Sequence, residues 1–127
     1  MEEKYRTFED LEVYKIAREF RKKIYEIISK LPIEEKYNLG SQMRKAVVSI
    51  TNNIAEGHGR YHYQENIQFC RQARGSLEEI IDDLNLCIDQ KYFDEQYLNA
   101  LKEEGYQLLK KLNGYIKYLI KQKETSI

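Results

Sequence analysis

The chain has 127 residues, with 21 Lys and Arg balanced by 21 Asp and Glu, one Pro, six Gly and two Cys. That length supports one domain whose core needs no disulfide or metal staple, and an apolar content of 42% excludes a disordered chain. Zero net charge removes the simplest argument for a nucleic-acid binder, a strongly basic domain, and no apolar run approaches the ~18 residues of a membrane span.

With so little Pro and Gly to punctuate it, the chain is expected to form long helices joined by short connections. Val13, Ala17, Phe20, Ile24, Ile27 and Leu31 recur at steps of three and four, predicting a first helix over about 8–30. Thr7 is placed to cap it, Asp10 to complete a capping box, and Pro32 to stop it. An acidic turn at Glu34-Glu35-Lys36-Tyr37 leads to a reversal at Asn38-Leu39-Gly40. Met43, Ala46, Val47, Ile50 and Ile54 then share one face of a second helix over about 41–57, closed by Gly57 and Gly59 as C-cap and turn residues. Tyr63, Ile67, Cys70, Leu77, Ile81, Leu84 and Ile88 predict a third helix over about 62–90, its stripe interrupted by Arg74. After a break at Lys91-Tyr92-Phe93-Asp94, with Asp94 a natural N-cap, a fourth helix over about 95–122 carries Leu98, Leu101, Gly105, Leu108, Leu112, Tyr115 and Leu119 as a seam.

Four helices with short loops predict an all-α fold, an antiparallel up-down-up-down four-helix bundle spanning 1–127 as a single domain. The apolar faces are wider than one such core requires, and Tyr14, Tyr25, Tyr106 and Tyr118 lie beside the main stripes. They serve either as rim packing or as an oligomer face. Cys70 and Cys87 fall on apolar faces and read as buried thiols. The opening Met1-Glu2-Glu3-Lys4 leads into no apolar signal segment, so the expected location is cytoplasmic, away from membranes.

Four blocks carry a family resemblance: Phe8-Glu9-Asp10-Leu11-Glu12-Val13-Tyr14-Lys15, Met43-Arg44-Lys45-Ala46-Val47-Val48-Ser49-Ile50, Asn53-Ile54-Ala55-Glu56-Gly57, and Ala73-Arg74-Gly75-Ser76-Leu77-Glu78-Glu79. In this order and spacing, over residues 8 to about 120, the chain resembles the four-helix-bundle proteins encoded in intervening sequences of bacterial 23S ribosomal RNA genes. The resemblance implies a protomer that assembles into a homo-oligomeric ring, most simply a pentamer. It also implies kinship with accessory variability proteins of diversity-generating retroelements, whose partners are nucleic acid and a reverse transcriptase. It implies no catalytic residues, no cofactor and no small-molecule substrate; what it transfers is the signature positions Ser49, Asn53, Glu56, Gly57, Gly75 and Ser76. Ser49, Asn53 and Glu56 step by four and three, pointing the same way near a helix end. They are expected to form a polar network closing the loop between the second and third helices, with ligand contact as the alternative. Gly75 and Ser76 are expected to admit a close backbone approach.

Other constellations give little chemistry. Glu78, Glu79, Asp82 and Asp83 make an acidic face, solvated or paired with a neighbouring protomer, without the Glu-x-x-His pairs of a di-metal bundle. His58 and His62 with Cys70 fall short of a zinc set and read as loop histidines with room for a phosphate contact. The Arg-to-His spacing of small helical HEPN nucleases is absent, as are P-loop and nucleophile-elbow patterns, so no enzyme is expected. Charge is polarised: 76–104 holds nine acids and two bases, whereas 106–127 holds five lysines and one acid. An antiparallel bundle thereby has an acidic end and an opposite end gathering Arg60, Arg71, Lys117, Lys121 and Lys123 near His58, His62, Tyr61, Tyr63 and Tyr118. Basic groups interleaved with rings are the chemistry of RNA or DNA contact. The alternatives are a surface polarised for subunit ordering, and a protein-binding adaptor with no nucleic-acid partner.

Overall fold

The computed structural model describes residues 7–126; residues 1–6, with the Met1–Lys4 opening, and residue 127 lie outside the described residues. Four helices carry the fold: α1 Glu12–Ser29, α2 Leu39–His58, α3 Tyr63–Asp89 and α4 Glu95–Thr125, with short 3₁₀ turns at Phe8–Asp10 and Ile33–Glu35 and no strand among the described residues. Each helix packs on its chain neighbours, and α1 returns against α4 to close the bundle; the α2–α3 contact is the most extensive and the α1–α4 seam the thinnest. Cross-helix pairs run in opposite numerical order, which fixes the antiparallel sense. On α1 and α4, Glu12 meets Lys111 at 2.6 Å and Lys23 meets Glu104 at 2.5 Å. No described helix is long and apolar enough to cross a membrane.

The apolar stripes become the core. Ile24, Ile27, Met43, Ile50, Ile54, Ile67, Leu77, Leu84, Leu108 and Leu112 are among its fully buried side chains, in one continuous cluster drawn from all four helices. Gly105 lies where three helices meet: a Cβ there would stand 3.2 Å from Ile81 and 3.3 Å from Phe20. Cys70 and Cys87 are free and buried, and burial pushes their thiols up to about 12 and about 11, with the charges of Asp83 and Glu35 adding to the shift at Cys87.

Local chemistry moves some expected boundaries. Thr7 does build a capping box, its hydroxyl accepting from the Glu9 amide at 3.2 Å while Asp10 accepts from the Thr7 amide at 3.0 Å. That box caps the 3₁₀ turn, however, and the extended backbone of Leu11 breaks the expected continuous helix before α1 begins at Glu12. The half-buried Leu11 side chain packs on the core, and a T-shaped contact between Phe8 and Tyr14 holds the turn against α1. Helix α2 begins two residues earlier than expected and runs through Gly57; its C-cap Gly59 has ordinary right-handed backbone rather than a left-handed cap. The left-handed residue lies instead after α3, at Lys91 with φ 57°. There the Tyr92 amide donates to the Cys87 carbonyl and the Lys91 amide to that of Ile88, both at 3.0 Å, the double bond pattern of a Schellman cap. Asp94 caps α4 as expected, accepting from the Tyr97 amide at 3.1 Å.

The acidic face of α3 is not uniformly solvated. Asp83 is only 8% exposed, and its Oδ2 has no hydrogen-bond partner. It sits on the flank of α3 one turn from the buried Ile80 and Cys87, so the helix periodicity carries it inside while Glu78, Glu79 and Asp82 stay exposed. Burial first, then the charges of Glu79 and Asp82, push its carboxyl from 3.8 up to about 6.

Two outcomes follow for stability. Lys91→Gly relieves the left-handed backbone and is expected to stabilise the fold by about 1 kcal/mol, read as a higher midpoint of urea unfolding. Because the folded Asp83 binds its proton more tightly than the unfolded chain does, its contribution is full below about pH 4 and is lost as pH rises through about 6. Asp83→Asn is expected to flatten that pH dependence and to stabilise the protein at pH 8 by about 3 kcal/mol, read from unfolding curves across the pH range.

Candidate functional site

The loop between α2 and α3 stands at the end of the bundle where α4 finishes and α1 starts. Lys123 near the end of α4 donates to Gln64 at the start of α3, at 2.5 Å, fixing the two termini together. A half-open cleft of about 360 Å³ forms there. The loop and its flanks supply His58, Arg60, Tyr61, His62 and Tyr63; α4 supplies Tyr115, Tyr118 and Leu119, α3 Asn66, and the break before α1 Leu11.

Its floor is built by Asn66, a polar side chain only 8% exposed. The Asn66 amide nitrogen donates to the Tyr115 hydroxyl at 3.3 Å, and its oxygen accepts from the Cys70 thiol at 3.5 Å. Burial keeps that thiol protonated, which makes it the donor, and burial likewise raises the half-buried Tyr115 phenol. The rings above the floor are open to solvent: Tyr61 is 89% exposed and Tyr118 55%. Tyr61 stacks on His62 with centroids 4.9 Å apart, and Tyr115 lies nearly parallel to Tyr118 at 6.3 Å.

Electrostatically the cleft is milder than the count of basic residues suggests. Arg60 is bonded to Glu56 at 2.8 Å, lies 4.0 Å from Glu65, and places its guanidinium over the Phe69 ring at 4.9 Å. Of the residues singled out for nucleic-acid contact, Arg60, Tyr61 and Tyr63 line the cleft together with His58, His62 and Tyr118, whereas Arg71, Lys117, Lys121 and Lys123 do not. Lys117 and Lys121 sit on neighbouring turns of the exposed face of α4, where neither has an ion-pair partner among the described residues. In the sequence Tyr115 reads as core, because it occupies a seam position, and Asn66 carries no signal, because it interrupts no pattern. Among the described residues no cluster of three His, Cys, Asp or Glu side chains is arranged to hold a metal ion, and the Cys70 sulfur is committed to Asn66.

The signature residues divide into two groups instead of forming one network at the loop. Asn53 donates to the Ser49 carbonyl and hydroxyl, each at 2.8 Å, and Ser76 donates to the Ser49 hydroxyl at 2.9 Å. This knot ties α2 to α3 well away from the loop, because antiparallel pairing sets position 49 opposite 76. Glu56 lies apart from it and holds Arg60. The close approach assigned to Gly75 is found elsewhere: a Cβ on Gly75 would meet nothing within 4 Å, whereas one on Gly57 would stand 2.6 Å from the Asn66 side chain and 3.1 Å from its carbonyl oxygen. Gly57 is therefore a point of close approach between α2 and α3, directly behind the cleft floor.

The family model for the 23S rRNA-intervening sequence protein matches residues 9–114. The chain belongs to this family. Among solved structures, this chain is similar to a protein of unknown function from the S23 ribosomal protein family of Bacteroides thetaiotaomicron, with a TM-score of 0.76 and 23% identity over 83% of this chain and 95% of that one. At that identity the likeness concerns the fold. No curated protein is similar enough to count as a match.

The two signature glycines of this family member are expected to respond oppositely to the same change. Gly57→Ala overpacks a buried contact and should lower stability by about 1–3 kcal/mol. Gly75→Ala, on an exposed helix interior, should raise it by about 1 kcal/mol. Thermal unfolding at fixed protein concentration separates them.

Proposed function

We propose that this protein is a non-enzymatic, homo-oligomeric scaffold, a pentameric ring of bundles, that contacts RNA or DNA through the end carrying the cleft, and that it works in the cytoplasm. The observation that carries this reading is the cleft itself, where exposed tyrosines and two histidines converge from separate chain segments, with the Lys117 and Lys121 pair on the adjoining helix. Free, buried cysteines fit a reducing compartment. The shallow hollow between α1 and α2, bordered by Tyr25, Arg44 and the half-buried Val48, supports subunit contact, since an amphipathic ring beside apolar surface suits an interface.

The mechanism is avidity. A single protomer with zero net charge and the Lys117 and Lys121 pair beside the cleft binds phosphates weakly. Several protomers presenting the same end along one rim turn later contacts into intramolecular ones, which multiplies affinity without any new contact. The structural role of the signature residues fits such a scaffold: the Ser49, Asn53 and Ser76 knot and the Gly57 contact hold α2 and α3 rigidly behind the binding end.

Light scattering coupled to size exclusion at low salt, on protein purified without nuclease, tests both parts. A mass five times that of the 15.3 kDa protomer with excess absorbance at 260 nm is the expected result. A clean monomer overturns the ring and with it the avidity mechanism. For the contact residues, Lys117→Glu with Lys121→Glu should weaken RNA binding in an anisotropy titration and lower the slope of log K against log salt by about two, roughly one per lysine. Unchanged binding would move the interface elsewhere, and a partner retained at high salt without nucleic acid would favour the protein adaptor.

A further inference from the structure

We propose that the cleft between the α2–α3 loop and the end of α4 receives an unstacked nucleobase, so that the nucleic acid engaged by this end is single-stranded; this rests on the nucleic-acid reading above and specifies its ligand.

The argument begins with what the cleft lacks. Its one cation, Arg60, is already engaged by Glu56 and Glu65 and stacked over Phe69, so a phosphate entering the cleft would meet carboxylates beside the guanidinium. The lining is instead ring surface: Tyr61, His62, Tyr63 and Tyr118 stand open to solvent around a volume of about 360 Å³. That volume lies near the lower limit of about 300–1,000 Å³ for pockets that enclose small flat ligands. Exposed rings gain by covering their faces with another π system, and every base has such a face once it leaves a duplex stack.

The surrounding groups fit that occupant. Asn66 spends its amide on Tyr115 and Cys70, which holds the floor ring fixed and leaves the phenol and imidazole edges of the walls to meet the polar edge of a base. Phosphate neutralisation falls to different residues. Lys121 follows Tyr118 by one helical turn and Lys117 precedes Lys121 by another, so the lysines flank the ring that borders the cleft. Base and backbone would thus be received by adjacent, chemically distinct surfaces. A duplex, whose bases cover each other's faces, can use only the second.

Three fluorescein-labelled dodecamers of the same length provide the test at low salt: oligodeoxythymidylate, an abasic strand with the same phosphates, and a blunt duplex. The thymidylate strand is expected to bind roughly tenfold more tightly than the abasic strand, the scale of one stacked base, with the duplex no better than the abasic strand. Tyr61→Ala and Tyr118→Ala should each shrink that ratio, and Tyr61→Phe should keep it; Tyr61 is so exposed that its truncation leaves the core untouched. Equal binding of thymidylate and abasic strands overturns the base cleft while leaving the nucleic-acid reading standing. Absence of binding to all three overturns that reading and this inference with it. A ratio that survives both alanine variants overturns the assignment to this cleft.

Discussion

Of the glycines, Gly57 has the tightest surroundings, with a Cβ there falling 2.6 Å from Asn66, and the cleft end of the bundle is organised around that contact. A missing Cβ on α2 lets α3 come near enough for Asn66 to be enclosed, and an enclosed amide must find partners inside the protein. It finds them in Cys70 on its own helix and Tyr115 on α4. One glycine therefore aligns three helices, and the loop that joins α2 to α3 leaves the pair at a defined height. The rings carried by that loop face Tyr115 and Tyr118 because the helices beneath them are locked.

Polar groups at the opposite end are arranged on a different principle. There Tyr92 donates to Glu35 at 2.6 Å and ties the cap of α3 to the 3₁₀ turn before α2, among carboxylates with few cations to balance them. Asp83 is the extreme case, an acid carried indoors by helix periodicity and left with an unpartnered oxygen. The segregation of acids from bases along the bundle axis is thus real in sequence, but the cationic end is softened by Glu56, Glu65 and Glu12, each holding or approaching a basic group. What distinguishes that end is less its charge than its exposed aromatic surface.

Much of this was legible in the chain. The three-and-four stripes, the break at Lys91-Tyr92-Phe93-Asp94 and the capping roles of Thr7 and Asp94 are local patterns, and local patterns survive into the structure. The misassigned features depend on which helix faces which. Gly57 reads in sequence as a glycine closing a helix and Gly75 as the site of a close approach, and only packing shows that the contact is at Gly57 and the open face at Gly75. Asp83 looked like its acidic neighbours because the pattern marks the apolar stripe and not its buried flank. Arg60 looked like a free cation because a loop residue and two helical carboxylates come together only when the turn closes. The position of Leu11 was hidden by a capping box that is genuine but serves a three-residue turn.

The two buried cysteines give the molecule a further property. Their thiols are neutral and sheltered, so a thiolate-directed reagent can reach them only when the core opens. Because both lie on α3, Cys70 toward the loop end and Cys87 toward the cap, the two labelling rates report opening at two heights along one helix. Residues selected for packing thereby act as a pair of internal clocks for the breathing of the bundle.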